Sequence, residues 1–139
     1  MIEVKELTLD SLIKTREVFD ENGRLLPPLV CKVISLHQSG CIVRIKDDTT
    51  ISVEYKSLEP IPITSEILER NGFEESVVNE GNYIWRSKLE RVIWNEEENI
   101  TIISVKCDTL FQGHCYYIHQ LQNALRLCGI RKEIELWNT

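Results

Sequence analysis

Between Leu29 and Tyr55 three short runs rich in β-branched residues, LVCKVISL, CIVRI and TISVEY, are separated by HQSG and KDDT. Runs of this length bounded by turn-forming residues read as an antiparallel meander. Gly40 can take a positive φ in the first turn, and Asp47 and Asp48 can bond their own backbone in the second. The third run alternates, with Ile51, Val53 and Tyr55 on one face and Ser52, Glu54 and Lys56 on the other. A further strand is expected in Ser11–Val18, followed by the long loop FDENGRLLPP and, after the meander, a short closing strand near Ile61. That order is the order of a small barrel of the SH3 type, in which curling the sheet removes exposed edges. An open meander is the competing arrangement.

After Pro62 the period changes. ITSEILERNGF predicts a short helix with Thr64 as N-cap, Glu66 in the first turn, and Gly72 following Asn71 so that Phe73 meets Leu68. Asn82–Trp94 reads as one apolar stretch bent or broken near Ser87–Lys88. It is joined to Ile100–Cys107 by the acidic turn NEEEN. CDTLFQGHC reads as a loop, and EIELW, Glu133–Trp137, as a last strand. The expected class is therefore α+β, mainly β: an SH3-like barrel over residues 1–62, then an antiparallel sheet with two short packed helices over 63–139.

Composition narrows the function. Of 139 residues, 42% are hydrophobic and 27% charged, as in ordinary globular domains. The net charge is -6, with 8 basic and 10 acidic residues up to Pro62 and 8 and 12 after it. A non-specific nucleic-acid binder draws its affinity from Lys and Arg on phosphates, and neither half is basic. No apolar run reaches the length of a membrane helix, and the N-terminus MIEVKELTLD lacks the features of a signal peptide. With five cysteines at no framework spacing, these features predict an intracellular, cytoplasmic protein with reduced thiols and no membrane partner.

The stretch GHCYYIHQLQNALRLCGI, Gly113–Ile130, concentrates the chemistry-bearing side chains. On a helix, Ile118, Leu121, Leu125 and Cys128 form an apolar stripe, flanked by Ala124 and Leu127, and Gly129 ends it as Gly72 ends the first helix. The opposite stripe carries His119, Gln122, Asn123 and Arg126, expected to be a solvated face. Cys107, His114, Cys115 and His119 have the pattern C-x6-H-C-x3-H, which is not the spacing of a zinc finger, ribbon or knuckle. A Cys–His nucleophile pair lacks a nearby carboxylate to orient His119. P-loop, dinucleotide, nucleophile-elbow and HExxH signatures are all missing, so the chain reads as a non-enzyme without metal or cofactor.

LEPIPITSEILERNGF, a tryptophan-containing strand pair and YIHQLQNALRLCGI together resemble a group of uncharacterised small proteins of gut Bacteroidetes and their phages and prophages. The resemblance runs from Leu58 to the end and holds only in outline before it. It implies a phage-linked origin and carries no activity. The leading expectation is a phage- or prophage-associated adaptor that binds protein. Its binding candidates are His119, Gln122, Asn123 and Arg126 on the second helix, and Phe19, Leu25 and Leu26 in the long loop. The alternative is a nucleic-acid-associated protein of phage replication or regulation. In that reading Tyr83, Trp85, Trp94, Tyr116 and Tyr117 stack on bases, with Arg86, Lys88 and Arg91 on phosphates.

Overall fold

The computed structural model describes residues 4–16, 18–19, 22–26, 28–46 and 48–136. It divides into two compact units, Met1–Ile61 and Pro62–Thr139. The described residues are mainly β, with two five-stranded antiparallel sheets, one two-stranded sheet and two α-helices.

In the first unit a 3-10 turn, Val4–Glu6, precedes β1, Leu12–Thr15. Two short strands, β2 (Val18–Phe19) and β3 (Leu25–Leu26), pair with each other inside the expected long loop. Then come β4 (Val30–Leu36), β5 (Gly40–Arg44) and β6 (Thr50–Glu54), a 3-10 turn at Tyr55–Ser57, and β7 (Leu58–Glu59). The sheet order is β6-β5-β4-β1-β7, the curled order of an SH3-type half-barrel. The closing strand lies at Leu58–Glu59, short of the expected Ile61, because the 3-10 turn reverses the chain early.

The strand pattern follows the side chains. Ile13, Cys31, Val33, Cys41, Val43 and Leu58 point to one face and are buried with Leu7, while Ile51, Val53 and Tyr55 pack on the rim. A bulge between Val33 and Ser35 lets β4 turn from its pairing with β1 into its pairing with β5. Gly40 has a different role from the one its turn position suggests. Its φ is not positive, but a Cβ there would lie 2.3 Å from the Val53 carbonyl oxygen, so only glycine lets β5 meet β6 at that point.

In the second unit, α1 spans Ser65–Arg70, with the Thr64 hydroxyl accepting from the Ile67 amide. Its end follows the sequence expectation: Phe73 N–H donates to the Leu68 carbonyl, Gly72 N–H to that of Glu69, and Gly72 takes φ +87°. The sheet is a meander of β8 (Glu74–Glu75), β9 (Asn82–Arg86), β10 (Glu90–Asn95), β11 (Ile100–Val105) and β12 (Asp108–His114), in the order β12-β11-β10-β9-β8. The helix α2, Ile118–Leu127, packs against β11.

One expectation is sharpened here and two change. Asn82–Trp94, expected to be bent or broken near Ser87–Lys88, is broken there into two paired strands, because Ser87 and Glu90 close a tight turn through their backbones and the Ser87 hydroxyl. The expected loop CDTLFQGHC contains β12, reached through Lys106 and Cys107, both with positive φ (52° and 72°), as in a two-residue hairpin turn. Residues 131–136 form no strand. The Glu135 amide and carbonyl instead bond the two ends of the Asn71 side-chain amide, at 2.7 and 3.0 Å, while Ile134 is buried; Trp137 lies outside the described residues.

Alternation divides the sheet. Tyr83, Val92, Trp94, Thr101 and Ile103 face the core, where Leu68, Phe73, Ile118, Leu121 and Leu125 are also buried. The Trp94 indole donates to the Cys115 carbonyl just before α2.

Candidate functional site

The histidine- and cysteine-bearing stretch separates into different places. Cys107 is exposed at the β11–β12 turn, and His114 is at the far end of β12, so an extended strand lies between them. His114 is exposed, stacked on Tyr116 with ring planes 5° apart, and its Nδ1 lies 3.1 Å from the Glu98 carbonyl. Cys115 is buried, and burial pushes its thiol pKa up despite a contact with the Thr101 hydroxyl. His119 is 1% exposed and stacks on Tyr117 at 6.0 Å.

This overturns the solvated polar stripe on α2. His119 and Gln122 are buried, Asn123 is half-buried, and only Arg126 is exposed. None of the four is without a partner in the molecule. Burial covers Ile118, His119, Leu121, Gln122, Ala124 and Leu125, more than half of the helix circumference, so a polar side chain at helical spacing does not mark an outer face here. Leu127, assigned beside the apolar stripe, is 80% exposed. Of the other candidates, Phe19, Leu25 and Leu26 lie on the paired strands β2 and β3, and their side chains fall outside the described residues. Tyr83 and Trp94 are buried and unavailable for stacking on a base, and Trp85 is half-buried with the Lys132 ammonium 5.9 Å over its ring.

The accessible surface with the most organised chemistry is the outer face of the second sheet. Register places Ile84, Ile93 and Ile102 side by side in one row across β9, β10 and β11, each half-buried. Glu74 and Gln112 end that row on β8 and β12. The next row toward the Ser87–Glu90 turn holds Arg86, Arg91 and Ser104. The row on the other side holds Asn82, Asn95, Ile100 and His114, with the Asn95 amide donating to Asn82 at 2.8 Å.

The arginine pair is unusual on physical grounds. Ser87 and Glu90 are bonded through their backbones, so Arg86 and Arg91, one step along, take the non-hydrogen-bonded position, where side chains approach most closely. Like charges directly opposite destabilise a ladder. Both arginines are exposed, and among the described residues neither makes an ion pair. The adjacent carboxylate, Glu90, accepts from the Ser87 hydroxyl.

No family model, curated protein or solved structure matches this chain. A shallow cleft of about 420 Å³ adjoins the isoleucine row, lined by Glu74, Val77, Val78, Ile84 and Arg86. Val77 and Val78 are 101% and 87% exposed, two adjacent apolar side chains held in water at the β8–β9 loop. Ile84, Ile93 and Ile102 are legible in the sequence as strand residues but not as residues of one face. The signal was present in the alternation YIW, VIW and IIS, but using it required the hairpin at Ser87–Glu90 and hence the register.

Proposed function

We propose that the chain is a non-enzymatic, phage- or prophage-associated adaptor of the cytoplasm that binds protein through the outer face of its second sheet. The observation that carries this reading is the in-register row of Ile84, Ile93 and Ile102 bordered by Arg86 and Arg91. An apolar centre with arginine at its rim is the composition of protein interfaces, where arginine is enriched and often dominates the energy. The net charge of -6 favours protein over nucleic acid as the partner. The phage link rests on the IPIT…GF and HQLQN resemblance alone.

The test is affinity capture from phage-infected or prophage-induced cells with the wild type and with Ile93→Glu. A half-exposed position should accept glutamate with little change in melting temperature. Partners recovered with the wild type should be lost from the variant. Equal recovery from both proteins would remove this face from the function.

A further inference from the structure

The second sheet is electrically polarised along its strands. At one end the Ser87–Glu90 and Val105–Asp108 turns are tied by the Lys106 amide donating to the Leu89 carbonyl. Arg86, Lys88, Arg91 and Lys106 are all exposed there, against two acidic residues, Glu90 and Asp108. At the other end the Ser76–Gly81 loop and the Asn95–Asn99 turn are tied by the Glu96 amide donating to the Gly81 carbonyl, and Glu75, Glu80, Glu96, Glu97 and Glu98 are exposed. No lysine or arginine lies in those two segments. Between the ends runs the isoleucine row, perpendicular to the strands.

We infer that the outer sheet face binds a second copy of this chain, sheet to sheet, about a twofold axis lying along the isoleucine row. This rests on the reading of that face as a protein-docking surface and names its partner. A twofold interface must be complementary to itself. Rotation about the row sets Ile84, Ile93 and Ile102 of one copy over the same residues of the other. It also reverses the strands, so the basic end of each copy covers the acidic end of its partner. The other in-plane axis, along the strands, would stack basic on basic and acidic on acidic. Charge thus selects one of the two symmetric packings. The arrangement also supplies what the Arg86–Arg91 pair lacks among the described residues of one chain, carboxylates facing it from outside.

The face is small. Four strands spaced about 4.8 Å apart, over about five residues of length, cover a patch near 15 by 17 Å. That is roughly 250 Å² per copy, below the size of a standard specific interface, so the dimer should be weak, with a Kd on the order of 100 µM, and sensitive to salt.

Sedimentation velocity over about 5–500 µM should show the dimer at low salt and its loss near 0.5 M salt. Arg86→Glu with Arg91→Glu should weaken it at least about tenfold, as should Glu80→Lys, Glu97→Lys and Glu98→Lys together, because each set makes both ends alike in sign. The five substitutions together reverse the polarity and should recover the affinity at least about threefold over either set alone. Recovery of that kind excludes misfolding as the cause of the separate losses. As an independent readout, Ile93→Cys in a Cys107→Ser background should be joined through position 93 of two copies by a short bismaleimide crosslinker, since that position lies on the axis and facing sheets stand about 10 Å apart.

A wild-type protein that stays monomeric throughout, or a variant with all five substitutions that keeps the wild-type melting temperature yet remains dissociated, overturns the inference. If the wild type is monomeric while captured partners still depend on Ile93, only self-association fails and the docking face stands. If capture is indifferent to Ile93 while the dimer forms, the adaptor reading of this face fails.

Discussion

Cys31, Cys41 and Cys115 are buried, Cys128 is half-buried, and Cys107 is exposed in the β11–β12 turn. Reaction requires a thiolate that a reagent can reach. Under native conditions a thiol reagent should therefore modify one cysteine rapidly, and Cys107→Ser should abolish that fast phase; two or more fast equivalents would show the interior thiols are open to solvent. Burial also holds the Cys31 thiol neutral, its pKa pushed up to about 12 by desolvation and by the neighbouring Cys41. An acid whose pKa rises on folding adds stability that is complete below its unfolded value and is lost as pH climbs toward the folded one. The melting temperature should fall from about pH 9 upward, and Cys31→Ala, though less stable near neutrality, should show a shallower fall across that window. Equal slopes would place the alkaline weakness elsewhere.

At the scale of elements, α2 is held by Leu121 and Leu125, 0% and 1% exposed, and by two buried polar side chains. Leu125→Ala should destabilise by about 2–5 kcal/mol in chemical denaturation. His119→Ala should cost about 1–3 kcal/mol, since it removes a buried ring stacked on Tyr117. Arg126→Ala, exposed on the same helix, should stay within about 0.5 kcal/mol. If His119 and Arg126 behaved alike, the burial asymmetry of the helix would be wrong. The two helix endings were legible in the sequence because each needs only local chemistry: Gly72 before Phe73, and Gly129 before Ile130, whose amide donates to the Leu125 carbonyl. The polarity of His119 and Gln122 was equally visible and misleading, because helical period records which residues share a face and not what covers it. Strand β12 was illegible for another reason. Lys106 and Cys107 occupy the left-handed region that asparagine and glycine usually mark, so the turn carries no compositional signal. Replacing Lys106–Cys107 with Asn–Gly should raise stability by about 1 kcal/mol, read as a shifted denaturation midpoint.

For the whole molecule, the SH3-type order of the first unit and the helix-and-sheet content of the second could be read from turn spacing and from the change of period at Pro62. The candidate site could not. It depends on register, and register followed from the Ser87–Glu90 turn, whose residues also suit a strand with a kink. The motifs that drew attention in the sequence are split between core and surface, while the docking face is built from isoleucines unremarkable in one dimension.

The two sheets also differ in how far apart in sequence their partners lie. Every neighbour in the second sheet is the next strand along the chain, so each pairing closes a short loop. In the first sheet β1 pairs with β7, joining Lys14 to Glu59 across nearly the whole unit. Closing long loops before contacts reward them slows folding. The unit made last by the ribosome should therefore acquire protected amides first, and pulsed hydrogen exchange during refolding should find β10 and β11 protected before β1. During that interval β1 and β4 would expose apolar edges, which makes the first unit the place where a crowded cell loses this protein to aggregation.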